Sequence, residues 1–272
     1  MLVFFTVAAD VGAPQVKRLA KALFPRQARL LGRVARRTFA LTRAIIASSF
    51  RRADAPYGRA GDARGSSWPR LADPGSPEFE PEIRAFELED ARGALTSGQN
   101  LFVGSSSVRL WASLSQDFAP HVAVNRGFGG ARIRNIVDFA ERVVFPHAPR
   151  RIVFFAGSND LDAGATARTV LSDFEIFVAR VLARLPEARV AFVSITPSPA
   201  RFWQARKVRE ANQLISEFVR SDPRLRYIDV CAVMVDASGR PKDELYLDEL
   251  HPSRAGYELW IPRIEPFLRD AD

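Results

Sequence analysis

Five short apolar runs, at 100–103, 121–124, 151–156, 189–195 and 225–233, alternate with longer amphipathic stretches. This alternation narrows the possible folds more than any other feature of the chain. The amphipathic stretches cover 108–118, 131–145, 166–185, 203–220 and 253–268. In the third, Val170, Phe174, Phe177, Val178, Val181, Leu182 and Leu185 share one face at helical spacing. Strands that read as unbroken apolar runs are buried on both faces. The chain therefore predicts an α/β domain whose five-stranded parallel sheet is covered by helices on each side. Ligands of such sheets lie beyond the carboxyl ends of the strands.

That pattern occupies only part of the 272 residues. The domain is expected over 78–272, after a basic amphipathic arm at 1–50 and a flexible linker at 51–77 rich in Arg, Gly, Pro, Ser and Asp. The net charge of +8 sits in the arm and linker: the first 76 residues hold 14 Lys/Arg against 4 acids, and no acid occurs between Asp10 and Asp54. The remaining chain is close to neutral, at about −2, so a nucleic-acid partner is not expected for the domain. The arm carries Leu19, Leu23, Leu30, Leu31, Val34, Leu41, Ile45 and Ile46 among its arginines, which suits peripheral contact with an anionic membrane. Arginines interrupt every apolar run before it reaches spanning length. The sequence Arg36-Arg37-Thr38-Phe39 resembles a twin-arginine signal, but Arg43 breaks the apolar region that should follow. A cytoplasmic or peripheral-membrane location is expected, with export as the alternative; the oligomeric state is left open.

Four polar blocks fall just past strand ends or in the last strand–helix loop. They are Gly104-Ser105-Ser106-Ser107, the stretch from Asn125 to Gly130, Gly157-Ser158-Asn159-Asp160, and Asp248-Glu249-Leu250-His251-Pro252. All four are predicted to face one crevice. A serine hydroxyl needs a base within hydrogen-bond reach to become a nucleophile. His251 can take the Ser106 proton and return it to a leaving alkoxide, and Asp248, three residues earlier, can hold the imidazole in the right tautomer. The backbone N–H groups of Ser106 and Gly130 and the side-chain amide of Asn159 can stabilise a tetrahedral oxyanion. Ser105 and Ser107 flank the proposed nucleophile. Ser106 is preferred by its offset of two from the strand-ending Gly104.

In this order the blocks resemble the SGNH (GDSL-type) hydrolase superfamily, over about residues 78–268. Ser106 falls on that family's nucleophile, Gly130 and Asn159 on its oxyanion donors, and Asp248 and His251 on its acid and base. The family's aspartate before the nucleophile is Ser105 here, which leaves all five roles occupied. The resemblance implies a flavodoxin-like three-layer α/β/α sandwich and a serine esterase or acyl hydrolase that acts through an acyl-enzyme on a lipid, acetylated glycan or small-molecule ester. No metal and no cofactor are expected. The alternatives are an O-acyltransferase and a non-catalytic acyl- or glycan-binding protein.

Other features have plainer readings. Gly127-Phe128-Gly129 lacks the third glycine of a dinucleotide fingerprint, since Arg132 stands there, and no Gly-x-Ser-x-Gly elbow occurs. Cys231, the only cysteine, lies among apolar residues and reads as a buried structural thiol. His121 and His147 read as structural or exposed. Trp111, Trp203 and Trp260 fall in predicted helices as packing residues, although Phe202 and Trp203 also stand where they could wall a substrate pocket. Arg109, Arg126 and Arg132 are placed near the mouth, where they could attract an anionic substrate.

Overall fold

Alternation along the strands decides how the layers form. In β1 (Asn100–Gly104), Leu101 and Val103 point to one face of the sheet and Phe102 to the other, and all are buried. The computed structural model describes residues 77–93 and 98–269, within the second of two compact units, Asp73–Asp272. The expected arm, and all of the expected linker except Pro77, lie outside the described residues.

Five parallel strands, β1, β2 (Ala123–Gly127), β3 (Arg151–Phe155), β4 (Arg189–Val193) and β5 (Leu225–Ile228), lie in the order β2-β1-β3-β4-β5. The chain order reverses between β1 and β3, and the crevice at such a switch point is the natural ligand site of an open parallel sheet. On one face the sheet packs against α4 (Ile133–Val143), α6 (Ala167–Arg184) and α7 (Ala205–Phe218), through Phe154, Phe174, Phe177 and Phe192. On the other it packs against α9 (Arg254–Arg269), whose Trp260 meets Phe155 and Trp111. The result is the predicted α/β/α sandwich. No helix among the described residues is long and apolar enough to cross a membrane.

Local chemistry moved several boundaries. The segment read as one helix over 108–118 is two short helices, α2 (Ser106–Arg109) and α3 (Leu114–Asp117). The Asp117 carboxylate accepts from the Trp111 indole N–H at 2.7 Å and the Ser113 hydroxyl at 2.8 Å, which folds the intervening residues back on themselves. Trp111 is thereby stacked on Tyr257 in the core, 4.5 Å between centroids.

The second strand runs further than its apolar run, because Arg126 is buried and paired within it. The fifth stops at Ile228: the Ser194 hydroxyl accepts the N–H groups of Val230 (2.9 Å) and Cys231 (2.8 Å), and Asp229 accepts that of Ala232 (3.1 Å). These bonds turn the chain into α8 (Cys231–Met234). Cys231, expected to be buried, is half-buried, and that burial pushes its thiol up to about 11.

The sequence pattern did not foreshadow α1 (Glu80–Arg92), which is rich in glutamate and buries only Ile83, beside Phe79 just before it. Arginines of α4 and of the edge strand β2 fasten it in place. Arg142 binds Glu80 and Glu87 (2.7 and 2.6 Å), holding the Glu80 carboxyl down at about 2, and Arg126 binds Glu89 (2.9 Å) and Asp90.

Candidate active site

The site is built where β1 and β3 diverge. Gly104 ends β1 so close to its neighbour that a Cβ there would lie 2.1 Å from the Phe155 carbonyl oxygen. The chain then turns sharply into α2, beginning at Ser106. Ser105 and Ser107 on either side are buried, Ser105 donating its N–H to Phe155 (3.1 Å) and Ser107 accepting from the Tyr257 hydroxyl at its carbonyl (2.8 Å). Of the three serines, Ser106 places its hydroxyl 2.9 Å from His251 Nε2.

Asp248 and His251 come from one tight loop before α9. His251 Nδ1 lies 2.7 Å from Asp248 Oδ2, while Asp248 Oδ1 accepts the backbone N–H groups of His251 (2.8 Å) and Leu250 (3.2 Å). Burial opposes the charge of Asp248, yet the bonds from His251 and from the two backbone N–H groups hold its carboxyl below its usual range. Glu249 adopts φ 61°, an uncommon conformation for a non-glycine residue, and its carbonyl accepts the Ala200 N–H (3.0 Å). A bond from Leu247 N–H to the His251 carbonyl (2.8 Å) closes the loop.

The three expected oxyanion donors come from three other segments, each following a different strand of the sheet. Among the described residues, the backbone N–H groups of Ser106 and Gly130 have no hydrogen-bond partner. Gly130 sits at φ 78°, a conformation that glycine takes without penalty. Asn159 opens α5 (Ser158–Asp162), after Gly157 turns the chain at φ 118°. One Asn159 Nδ2 hydrogen goes to the Ala131 carbonyl (3.0 Å), which leaves a second on the same nitrogen. Asn159 lines a small cavity of about 20 Å³ together with Ser106, His251, Ser198 and Thr196; Gly130 is not among its lining residues.

Sequence reasoning missed Arg201. Its Nη1 donates to Asn159 Oδ1 (2.8 Å) and Ser158 Oγ (3.3 Å), and its Nη2 pairs with Asp162 (2.9 Å). The bond to Oδ1 sets which way the Asn159 amide faces. The available signal was position, since Arg201 follows β4 at the same sheet edge as the other blocks.

The sequence profile of the GDSL-like lipase/acylhydrolase family matches residues 95–259. The chain belongs to that family. No curated protein matches it. Among solved structures, a Streptococcus pneumonia protein provisionally described as a platelet activating factor is 21% identical, with a TM-score of 0.64, over 71% of this chain and 94% of its own. A GDSL-like lipase from Bacteroides thetaiotaomicron is 17% identical, with a TM-score of 0.60, over 68% and 96%. A carbohydrate esterase of family 3 from Talaromyces cellulolyticus is 17% identical, with a TM-score of 0.50, over 64% and 100%. Membership makes this chain an ester hydrolase in the broad sense.

Several expectations for this GDSL-like hydrolase need correcting. Trp203 is 65% exposed and Phe202 lies under the Arg240 guanidinium, 5.5 Å away; neither lines the cavity beside Ser106. Arg126 is buried against Glu89, Asp90 and His147, and Arg109 pairs with Glu82 (3.2 Å), so these two cations are already engaged by protein groups. Arg132 is exposed. Burial pushes the His147 imidazole down. A larger groove of about 580 Å³, between α1 and the β2 edge, contains neither Ser106 nor His251.

Proposed function

We propose that this hydrolase is a serine esterase that cleaves short-chain carboxylic esters through an acyl-enzyme on Ser106. The observation that carries the reading is the unbroken hydrogen-bond chain from Ser106 Oγ through His251 to Asp248. In it the imidazole can accept a proton at Nε2 while Nδ1–H stays on the carboxylate. Ser106 Oγ attacks the ester carbonyl carbon and its proton passes to His251 Nε2. The resulting oxyanion is met by the N–H groups of Ser106 and Gly130 and by the Asn159 amide. Collapse breaks the bond to the alcohol oxygen, which takes the proton from His251. Water then repeats the sequence and releases the acid.

Short acyl groups are favoured by the size and polarity of the cavity, where Ser105, Ser158, Thr196 and Ser198 outnumber the apolar Phe155 and Leu250. A fluorophosphonate probe is expected to label Ser106, and Ser106→Ala to abolish labelling; a label that persists and maps to Ser105 overturns the assignment. Across p-nitrophenyl esters, kcat/KM is expected to fall beyond acyl chains of about four carbons. A maximum at long chains would reject the short-acyl preference.

A further inference from the structure

We propose that Glu82 is a positioning residue for the hydrolytic site. It would make α1, which precedes the family-matched segment 95–259, part of the catalytic apparatus. This rests on the esterase reading above. The Glu82 carboxylate joins two elements of the site. Its Oε2 accepts the Gly129 N–H at 3.0 Å, and its Oε1 accepts from Arg109 Nη1 at 3.2 Å. Gly129 immediately precedes the Gly130 donor, and Arg109 ends the short helix that Ser106 begins.

The three parts are packed closely. A Cβ on Gly129 would lie 2.9 Å from Arg109 Cζ, and one on Gly127 would lie 2.5 Å from the Arg109 backbone nitrogen. Two consecutive glycines have more backbone freedom than any other pair, so the direction of the Gly130 N–H depends on what restrains them. Glu82 supplies that restraint and references it to the element carrying the nucleophile. Oxyanion donors act through preorganisation, and a donor that wanders contributes less in the transition state. The rest of α1 is seated independently, by Arg142 on Glu80 and Glu87 and by Arg126 on Glu89 and Asp90. Removing the Glu82 carboxylate should therefore release the loop without unseating the helix.

The test uses the full-length chain, with p-nitrophenyl acetate as substrate and Glu82→Ala, Glu82→Gln and Arg142→Ala as variants. Glu82→Ala is expected to lower kcat about tenfold with KM within about twofold, short of the hundredfold or more expected when a donor is lost outright. Glu82→Gln, whose amide oxygen can still accept the Gly129 N–H, is expected to recover most of that loss. Arg142→Ala, which weakens α1 away from the loop, is expected to leave kcat near wild type. Amide exchange at Gly129 is expected to quicken in Glu82→Ala alone. Wild-type kcat in Glu82→Ala, or an equal loss in Arg142→Ala, overturns this inference while leaving the esterase reading intact. A wild-type chain that neither turns over esters nor takes the fluorophosphonate overturns both.

Discussion

Asn159 divides its amide: Oδ1 and one Nδ2 hydrogen anchor it to Arg201 and Ala131, and the other hydrogen is the one the proposed mechanism gives to the oxyanion. Asn159→Ala should therefore lower kcat by roughly a hundredfold and leave KM nearly unchanged in steady-state assays, since the missing bond forms only in the transition state. The next residue behaves differently. Asp160 is buried and accepts the Ile133 N–H at 3.1 Å; burial, only partly offset by that bond, raises its carboxyl to about 6. An acid whose folded pKa is raised binds its proton more tightly when folded. Its stabilising contribution is complete below the unfolded value near 3.8 and is lost as pH rises through about 6. In thermal melts, the Tm advantage of wild type over Asp160→Asn should shrink between pH 4 and pH 6.5. A constant gap would show that Asp160 is not the titrating group.

Among the elements, α9 begins three residues after His251 and ends the Asp248–His251 loop, so its packing matters to the candidate site. Trp260 is 1% exposed and touches Trp111, Phe155 and Tyr257; Trp260→Ala should destabilise by about 3–5 kcal/mol in urea unfolding. This helix and the long α6 and α7 could be read from sequence because each buries an apolar stripe. Likewise β1, β3 and β4 show as apolar runs because both their faces are covered. The helix α1 was not legible, since arginine–carboxylate pairs to residues 30 or more positions away replace the stripe. The end of β5 was hidden for a related reason: its apolar composition continues through Val230 and Cys231, while the hydroxyl that ends the strand belongs to Ser194, just past the end of the neighbouring β4. The four polar blocks could be placed because sheet topology alone puts strand ends on one edge. Arg201 shares that edge, so its position was legible, but its pairing with Ser158, Asn159 and Asp162 was not, because those partners lie about 40 residues away along the chain.

For the whole molecule, the described domain closes apolar clusters on both faces of its sheet, and Phe79 and Ile83 already belong to one of them. A chain beginning at Pro77 should remain soluble and keep full fluorophosphonate labelling and esterase activity, whereas one beginning after Arg92 should lose solubility or activity with α1. Failure of the longer truncate to fold would show that earlier residues complete the domain. The Ser106–His251 bond spans 145 residues of chain. During synthesis, Ser106, Gly130 and Asn159 therefore leave the ribosome well before His251, the base proposed to activate the serine. On the proposed assignment a growing chain should be chemically silent, its serine turning reactive only when the Asp248–His251 loop docks at the finished sheet edge. Onset of fluorophosphonate labelling should then serve as a clock for the last step of folding.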